Sequence, residues 1–418
     1  MDAMLPSRLG KLRILCSLPL FSDAIRLKSQ SAAEHGFTEA LLSIALAPQL
    51  GIPVEAECDL VELAIFAELP KAYLGDPSYY LRQRHPEAQT MYRQVRGRLW
   101  KETESSFGVK TSRSPQLFGV HSLVDAFAAM LFIEKECLLG NQYFAAERHR
   151  THYATMRAAV RAGKTLKAPH PATLVESEVP LSDGLPDLDW KKAVAFLDDR
   201  FADAERARLE GGVGEYSSTF LGMMEKLKEH YRYKGWSAHY PESVGEHTYQ
   251  VLFLAWQLAG HLGLSAAERV KFYRLAAFHD LAEAYASDVV YPVKVREKDL
   301  GKLHQELEAR VTADISAGLG FALEKDPKLH ALVDICDRFS AQLYFDRERR
   351  SGNTHFFVPN TSMEHTRRRF GEEHKEAFLF LDTLWAEYQA CFTLDTSPLG
   401  VPPSTPAAGL LAFPKESM

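Results

Sequence analysis

An imidazole and a carboxylate stand side by side at His279-Asp280, with Glu283 four residues past the histidine and Asp288 further on. Their neighbours Leu275, Ala276, Ala277, Phe278, Leu281 and Ala282 predict a helix, and on it Glu283 falls about one turn on, facing the same way as the pair. Asp288 marks the expected end of that helix. Polar groups set into an apolar helix are costly to bury unless something pairs with them, and a divalent metal would do so. His247 upstream and Asp337 downstream supply a second imidazole and a second carboxylate. Neutral imidazoles and carboxylates in equal number cancel a divalent charge and leave positions open for water and a phosphate oxygen. Taken singly each residue has a plainer explanation: an incidental His-Asp pair, a core histidine at His247, a turn residue at Asp288. Only in combination do they point to a metal site.

The elements that must hold these residues are helical. Val244 to Leu262 carries Val244, Val251, Leu254, Ala255 and Leu258 at helical spacing, and Ala266 to Ala286 and Lys328 to Arg350 read the same way, the last preceded by Pro327. Alternation of strand type is almost absent, so the expected fold class is all-α. The chain also resembles itself. Ser31-Ala32-Ala33-Glu34-His35 matches Ser243-Val244-Gly245-Glu246-His247, Leu63 to Leu69 matches Leu275 to Leu281, Asp76 matches Asp288, and Asp125-Ala126-Phe127 matches Asp337-Arg338-Phe339, always 212 residues apart. A constant offset predicts a tandem duplication, packed as an intrachain pseudo-dimer. The expected organisation is a first copy over 1–155, a linker with a helical segment (Trp190 to Leu209) over 156–215, a second copy over 216–392 and a loose tail over 393–418. Proline recurs at Pro169, Pro171, Pro180 and Pro186, and Gly211-Gly212-Val213-Gly214 is the expected flexible joint.

Five motifs of the second copy carry a further resemblance: Arg232-Tyr233, Glu242-Ser243-Val244-Gly245-Glu246-His247, His279-Asp280-Leu281-Ala282-Glu283, Asp288 with Pro292-Val293-Lys294, and Cys336-Asp337-Arg338-Phe339. Together they resemble the HD superfamily of phosphohydrolases and, more narrowly, its bacterial 5′-deoxynucleotidase branch. The resemblance implies His247, His279, Asp280 and Asp337 as ligands of one divalent transition metal, with Mn, Co, Fe or Ni suited to the mixed donor set. It implies Glu283 and Asp288 as catalytic carboxylates, their acid and base roles open between them, and Arg232 as the phosphate-facing arginine. Tyr233 stands where the branch carries tryptophan beside the sugar, and Lys294 faces either the phosphate or solvent. Asp334, one turn before Asp337, is a rival fourth ligand; Asp337 is preferred because Asp125 occupies its place in the first copy while Ser122 stands at the other. The implied activity is release of phosphate from a small nucleotide, most simply a 5′-deoxynucleoside monophosphate. Hydrolysis of a triphosphate or a cyclic nucleotide, or nucleotide binding without catalysis, are the alternatives.

The first copy has lost most of this set. Ala67 replaces His279, Glu68 replaces Asp280, Lys71 replaces Glu283 and Leu20 replaces Arg232, while His35, Asp76 and Asp125 remain. Expected there is a scaffold without chemistry, in which Lys71 pairs with Glu68. Because relatives in the branch act as homodimers, the chain is expected to be a pseudo-dimeric monomer or a homodimer of such units. A net charge of −6 gives no electrostatic case for a nucleic-acid polymer or an anionic membrane. Arg367-Arg368-Arg369 sits among glutamates and reads as a solvated helix face. Ala40 to Val54, apolar but interrupted by prolines, falls short of a membrane span. The five scattered cysteines form no C-x-x-C pair, and the expected compartment is the reducing cytoplasm.

Overall fold

Serine and threonine residues start most of the long helices. Ser31, Ser243 and Ser265 each accept a bond from the backbone three residues on, and Glu34, Glu246 and Glu268 reach back to close full capping boxes. The computed structural model describes residues 7–20, 27–75, 86–108, 114–145, 151–169, 176–179, 188–233, 236–286, 298–323, 325–357 and 362–391. Asp76, Asp288, Lys294 and the expected tail from 393 onward lie outside these described residues. In order the helices are α1 (Arg8–Leu15), α2 (Ala32–Leu50), α3 (Val54–Ala67), α4 (Lys71–Leu74), α5 (Pro86–Phe107), α6 (Pro115–Leu138), α7 (Gln142–Ala145) and α8 (His152–Arg161). Strands β1 (Leu166–Pro169) and β2 (Glu176–Val179) follow, then α9 (Trp190–Glu210), α10 (Gly212–Tyr216) and α11 (Phe220–Glu229). The remainder is α12 (Val244–His261), α13 (Ala266–Phe278), α14 (Glu283–Ala286), α15 (Lys298–Gly318), α16 (Pro327–Arg350), a 3-10 turn (Thr354–Phe357), α17 (Ser362–Phe370) and α18 (Lys375–Ala390).

The helix bounds themselves repeat. Helices α2, α3, α4, α5 and α6 begin at Ala32, Val54, Lys71, Pro86 and Pro115, and α12, α13, α14, α15 and α16 begin 212 residues later at Val244, Ala266, Glu283, Lys298 and Pro327. Isolated antiparallel bridges join Pro19 to Ser31 and Tyr231 to Ser243, again at that offset. Helices α2 and α12 are buried along almost their whole length, apolar on nearly every side as befits central helices. They pack on each other, on α3 and α13 respectively, and on the long helices α6 and α16, while α3 and α13 also touch. One continuous apolar core runs from Leu9 to Tyr388.

Three expectations need correction. The predicted helix over Ala266 to Ala286 breaks after Phe278: Leu281 N bonds Phe278 O at 3.3 Å, Glu283 N bonds Asp280 O at 3.0 Å and Ala284 N bonds Leu281 O at 3.2 Å. That tightened turn has three residues per repeat, so it sets Glu283 under Asp280 more directly than an α-helix would. The proline-rich linker holds an antiparallel ribbon pairing Leu166 with Val179, both buried; strands of four residues are too short for alternation to register. The glycine-rich joint is not a loop either, since α10 begins at Gly212 directly after α9. In addition, α8 runs through the 155/156 boundary drawn from sequence. Among the described residues the most membrane-like helix is α6 rather than Ala40 to Val54, and 83% of its apolar window is buried against the rest of the chain.

The contact between α2 and α12 is polar at one end and apolar along its length. Ser243 Oγ donates to Glu34 Oε1 at 2.8 Å, which ties the two capping boxes to each other. Glu34 is raised above the usual carboxyl range by burial, and Glu246 well above it by burial and by Glu34 beside it. Protonation of one of the pair would avoid two adjacent buried anions. Further along, Tyr249 lies on Gly36 and donates to Ile65 O at 2.7 Å, while Phe37 lies on Gly245.

Both features can be tested. A β-carbon at Gly36 runs into the Tyr249 ring, so Gly36→Ala should lower stability by roughly 1–3 kcal/mol in denaturant melts. For the carboxyl pair, folded-state values raised above the unfolded ones give a contribution that is complete below the unfolded carboxyl range and lost as pH rises. Glu246→Gln cannot titrate. Its melting temperature should match wild type near about pH 5 and exceed it at about pH 8, by on the order of 1 kcal/mol. A gap that stays constant across that range would count against the protonated carboxyl.

Candidate metal centre and active site

Three helices deliver the polar cluster of the second half. His247 sits in the first turn of α12, its backbone N bonded to Ser243 O at 3.0 Å, and is wholly buried. His279 and Asp280 occupy the tight turn after α13, and Asp337 projects from α16. Their atoms converge. His247 Nε2 lies 2.9 Å from Asp337 Oδ1, 3.4 Å from His279 Nε2 and 3.5 Å from Asp280 Oδ2, and His279 Nε2 lies 3.2 Å from Asp280 Oδ2. His247, His279 and Asp337 each offer a ligand atom within 4.8 Å of the others. Asp280 stands outside that group of three, though close to both imidazole nitrogens, and Asp334 is exposed and also outside it.

The imidazoles are oriented from behind. His279 Nδ1 meets Ala276 O at 2.7 Å, which leaves Nε2 aimed at the cluster. His247 Nδ1 lies 3.1 Å from Ser340 Oγ, which donates to Gln250 Oε1 at 3.3 Å; Gln250 Nε2 in turn donates to Glu242 Oε1 at 2.6 Å. Arg232 completes the ring, touching His247 Nδ1 and lying 3.4 Å from Glu242 Oε2 and 3.7 Å from Asp337 Oδ1. Sequence reasoning passed over Ser340, Gln250 and the anchoring role of Glu242. A serine and a glutamine on the buried faces of otherwise apolar helices were the available signal.

Charge in the cluster is divided sharply. Burial would lower His279, but the Asp280 carboxylate beside it prevails and raises it to about 9. Against the same burial penalty, His279 draws Asp280 down to about 2, and the hydrogen bond to His247 holds Asp337 below the carboxylate range. His247 is pushed down by burial and by the neighbouring Arg232. Ionised carboxylates facing two imidazole nitrogens make a mixed hard and borderline donor set, which fits a divalent transition ion. Metal uptake would displace the proton from His279.

Glu283 opens α14, half-buried, directly after Asp280 in the turn. Tyr233 does not stand free beside the site. Its ring stacks on Tyr344 at 5.0 Å and 7°, is edged by Phe345 and Phe356, and carries the Arg232 guanidinium 5.2 Å above it. Among the described residues it is the one non-glycine with positive φ, 56°. For a bulky side chain that conformation is strained and is found where the surroundings over-determine it. Trp236, missed from sequence, is 40% exposed at the rim of the same aromatic cluster. Beside Asp334 an open cleft of about 720 Å³ is lined by Lys328, His330, Arg369 and His374. Arg369, expected on a solvated face, therefore borders a cleft, whereas Arg367 is paired with Asp382 at 2.7 Å.

The equivalent place in the first half holds a different cluster. His35 Nε2 lies 2.9 Å from Asp125 Oδ1 and 3.2 Å from Glu39 Oε1, and Lys71 Nζ meets Glu68 Oε1 at 2.7 Å, the pairing that the residue types had led one to expect. Leu20, in the place of Arg232, is buried.

Residues 219–388 match the family model described as 5'-deoxynucleotidase YfbR-like. No curated protein matches the chain. The matched segment begins just before α11 and ends within α18, so it contains Arg232, His247, His279, Asp280, Glu283 and Asp337. That segment is similar to a phosphohydrolase family of the HD type.

Proposed function

We propose that this chain is a metal-dependent phosphohydrolase whose second half releases phosphate from a small nucleotide, most simply a 5′-deoxynucleoside monophosphate. The observation that carries the reading is the grouping of His247, His279 and Asp337, with Asp280 within 3.5 Å of both imidazole nitrogens and Arg232 alongside. The match of residues 219–388 to a 5'-deoxynucleotidase family supports it independently. A bound divalent ion of the Mn, Co, Fe or Ni class would supply Lewis acidity toward a phosphate oxygen and acidify a water molecule. The protein's own groups do the rest. Arg232 is held by Glu242 and by the Tyr233 face, so its guanidinium is prepositioned to neutralise a phosphate dianion. Glu283, under Asp280, is placed to orient or deprotonate the attacking water, and Asp288 is the companion carboxylate that would assist the leaving oxygen. Lys294 is a further contact proposed for the phosphate. Tyr233 serves chiefly by supporting Arg232, while the nearby aromatic rim with Trp236 offers a face to sugar or base.

We further propose that the two halves, about 1–155 and 216–392, are tandem copies packed as a pseudo-dimer, the second catalytic and the first a scaffold. The repeated helix bounds and the joined capping boxes support that arrangement.

The test is phosphate release from nucleoside mono-, di- and triphosphates and cyclic nucleotides, using metal-stripped protein with Mn²⁺, Co²⁺, Ni²⁺ or Mg²⁺ restored. Turnover should require metal and vanish in Asp280→Ala; silence across every metal and nucleotide would sink the reading. Glu283→Gln should keep its metal and lose about 10²–10⁴-fold in kcat. Ser340→Ala removes the group behind His247 Nδ1, so metal affinity measured by titration calorimetry should fall roughly 10- to 100-fold with the fold intact.

A further inference from the structure

We propose that the first half holds a divalent metal ion of its own, coordinated by His35, Glu39, Glu68 and Asp125 at a non-catalytic site between α2, α3 and α6. This inference does not depend on hydrolysis by the second half.

His35, Glu39 and Glu68 are all buried and offer ligand atoms within 4.8 Å of one another. The lost imidazole at Ala67 has a substitute from another direction. Glu39 lies one turn after His35 on α2, where the second half carries the apolar Val251, and its Oε1 sits 3.2 Å from His35 Nε2. Asp125 approaches the same nitrogen at 2.9 Å, the separation seen between His247 and Asp337. The inward geometry is that of the second site with one donor exchanged.

Independent evidence comes from orphaned atoms. Glu39 Oε2 and His121 Nε2 are fully buried, 3.9 Å apart, and neither has a hydrogen-bond partner in the structure. Each unsatisfied buried group costs on the order of 1–3 kcal/mol, and a cation beside them would use both. Charge points the same way. Three carboxylates, Glu39, Glu68 and Asp125, gather around His35, and Lys71 Nζ is in contact with Glu68. An added divalent charge offsets the remainder.

The surroundings exclude catalysis. Lys71 stands where Glu283 does in the second half, already bonded to Glu68, and buried Leu20 replaces Arg232. No water-activating carboxylate or phosphate-binding guanidinium is present at those positions, so an ion there serves as a structural cross-link. Imidazole with carboxylates suits Mn²⁺, Fe²⁺, Co²⁺, Ni²⁺ or Zn²⁺ over Mg²⁺ or Ca²⁺.

The deciding experiment is anomalous diffraction at the cobalt edge from the full chain loaded with Co²⁺, beside equilibrium dialysis of the same preparation. Two peaks are expected, one within coordination distance of His35 Nε2 and Glu39, and dialysis should count two ions per chain. Glu39→Gln and Asp280→Ala should each reduce the count to one, losing different peaks. A single peak at His247, with one ion per chain, would overturn the proposal and leave protons and Lys71 neutralising the first cluster. Since Glu39 is a core residue, the wild-type map decides the matter even if its variant does not fold.

Discussion

Charged and imidazole groups enter the middle of this protein on two helices, α2 and α12, that are otherwise apolar on nearly every face. A buried charge is tolerable only when paired, because its desolvation is not otherwise recovered. Several of the polar groups on these helices are accordingly met from a neighbouring element. Asp125 on α6 meets His35, Asp337 on α16 meets His247, and the serine of one helix start meets the glutamate of the other. The placement of α6 and α16 across the central pair follows from that pairing as much as from apolar burial. So does the tight turn after α13, which brings His279 and Asp280 to bear on His247 without another helix being needed.

Much of this was legible in the chain. The offset of 212 could be read because short polar motifs survive in both halves, and helix bounds follow the same offset. Helix starts were legible too, since Ser-x-x-Glu boxes and Pro327 are local signals that act over one turn. The four ligand candidates came from the family resemblance and, for Asp337, from its counterpart Asp125 in the first half. What escaped was non-local or below the length at which periodicity speaks. A helical pattern continues through Leu281 and Ala282, so it cannot register a change from four-residue to three-residue hydrogen bonding after Phe278. The ribbon of Leu166 and Val179 is too short to alternate visibly. Glu39 was overlooked because a family pattern directs attention to the positions it names, and Glu39 lies outside them. The acidic residue in the run Phe37 to Leu46 was nevertheless a plain signal, for glutamate is seldom fully buried without a partner.

The fate of Tyr233 shows how a single conformational constraint can redirect a residue's role. By the family resemblance it belonged beside the sugar. In the fold its left-handed backbone and its flat stack on Tyr344 commit the ring to the protein, and the exposed aromatic edge of the cluster passes to Trp236. Arg232 gains from this arrangement. A guanidinium resting on an aromatic face and fixed by Glu242 loses little conformational freedom when it meets an anion.

The joined capping boxes also bear on why a half without the catalytic set would persist. His247 lies in the first turn of α12, and the position of that turn is set by Ser243. Ser243 is itself bonded to Glu34 of the first half. The helix start that aims His247 therefore depends on α2 at a distance of two hydrogen bonds, and Tyr249, half a turn beyond His247, depends on Gly36 and Ile65 for its seat. A substitution that removes chemistry from the first half, such as Ala67 for an imidazole, leaves those contacts untouched. One that disturbs Ser31, Glu34 or Gly36 would misalign the second site directly. The chemistry-bearing residue types and the interface are thus separable, and the residues of α2 that face α12 help to position His247 without standing in its cluster.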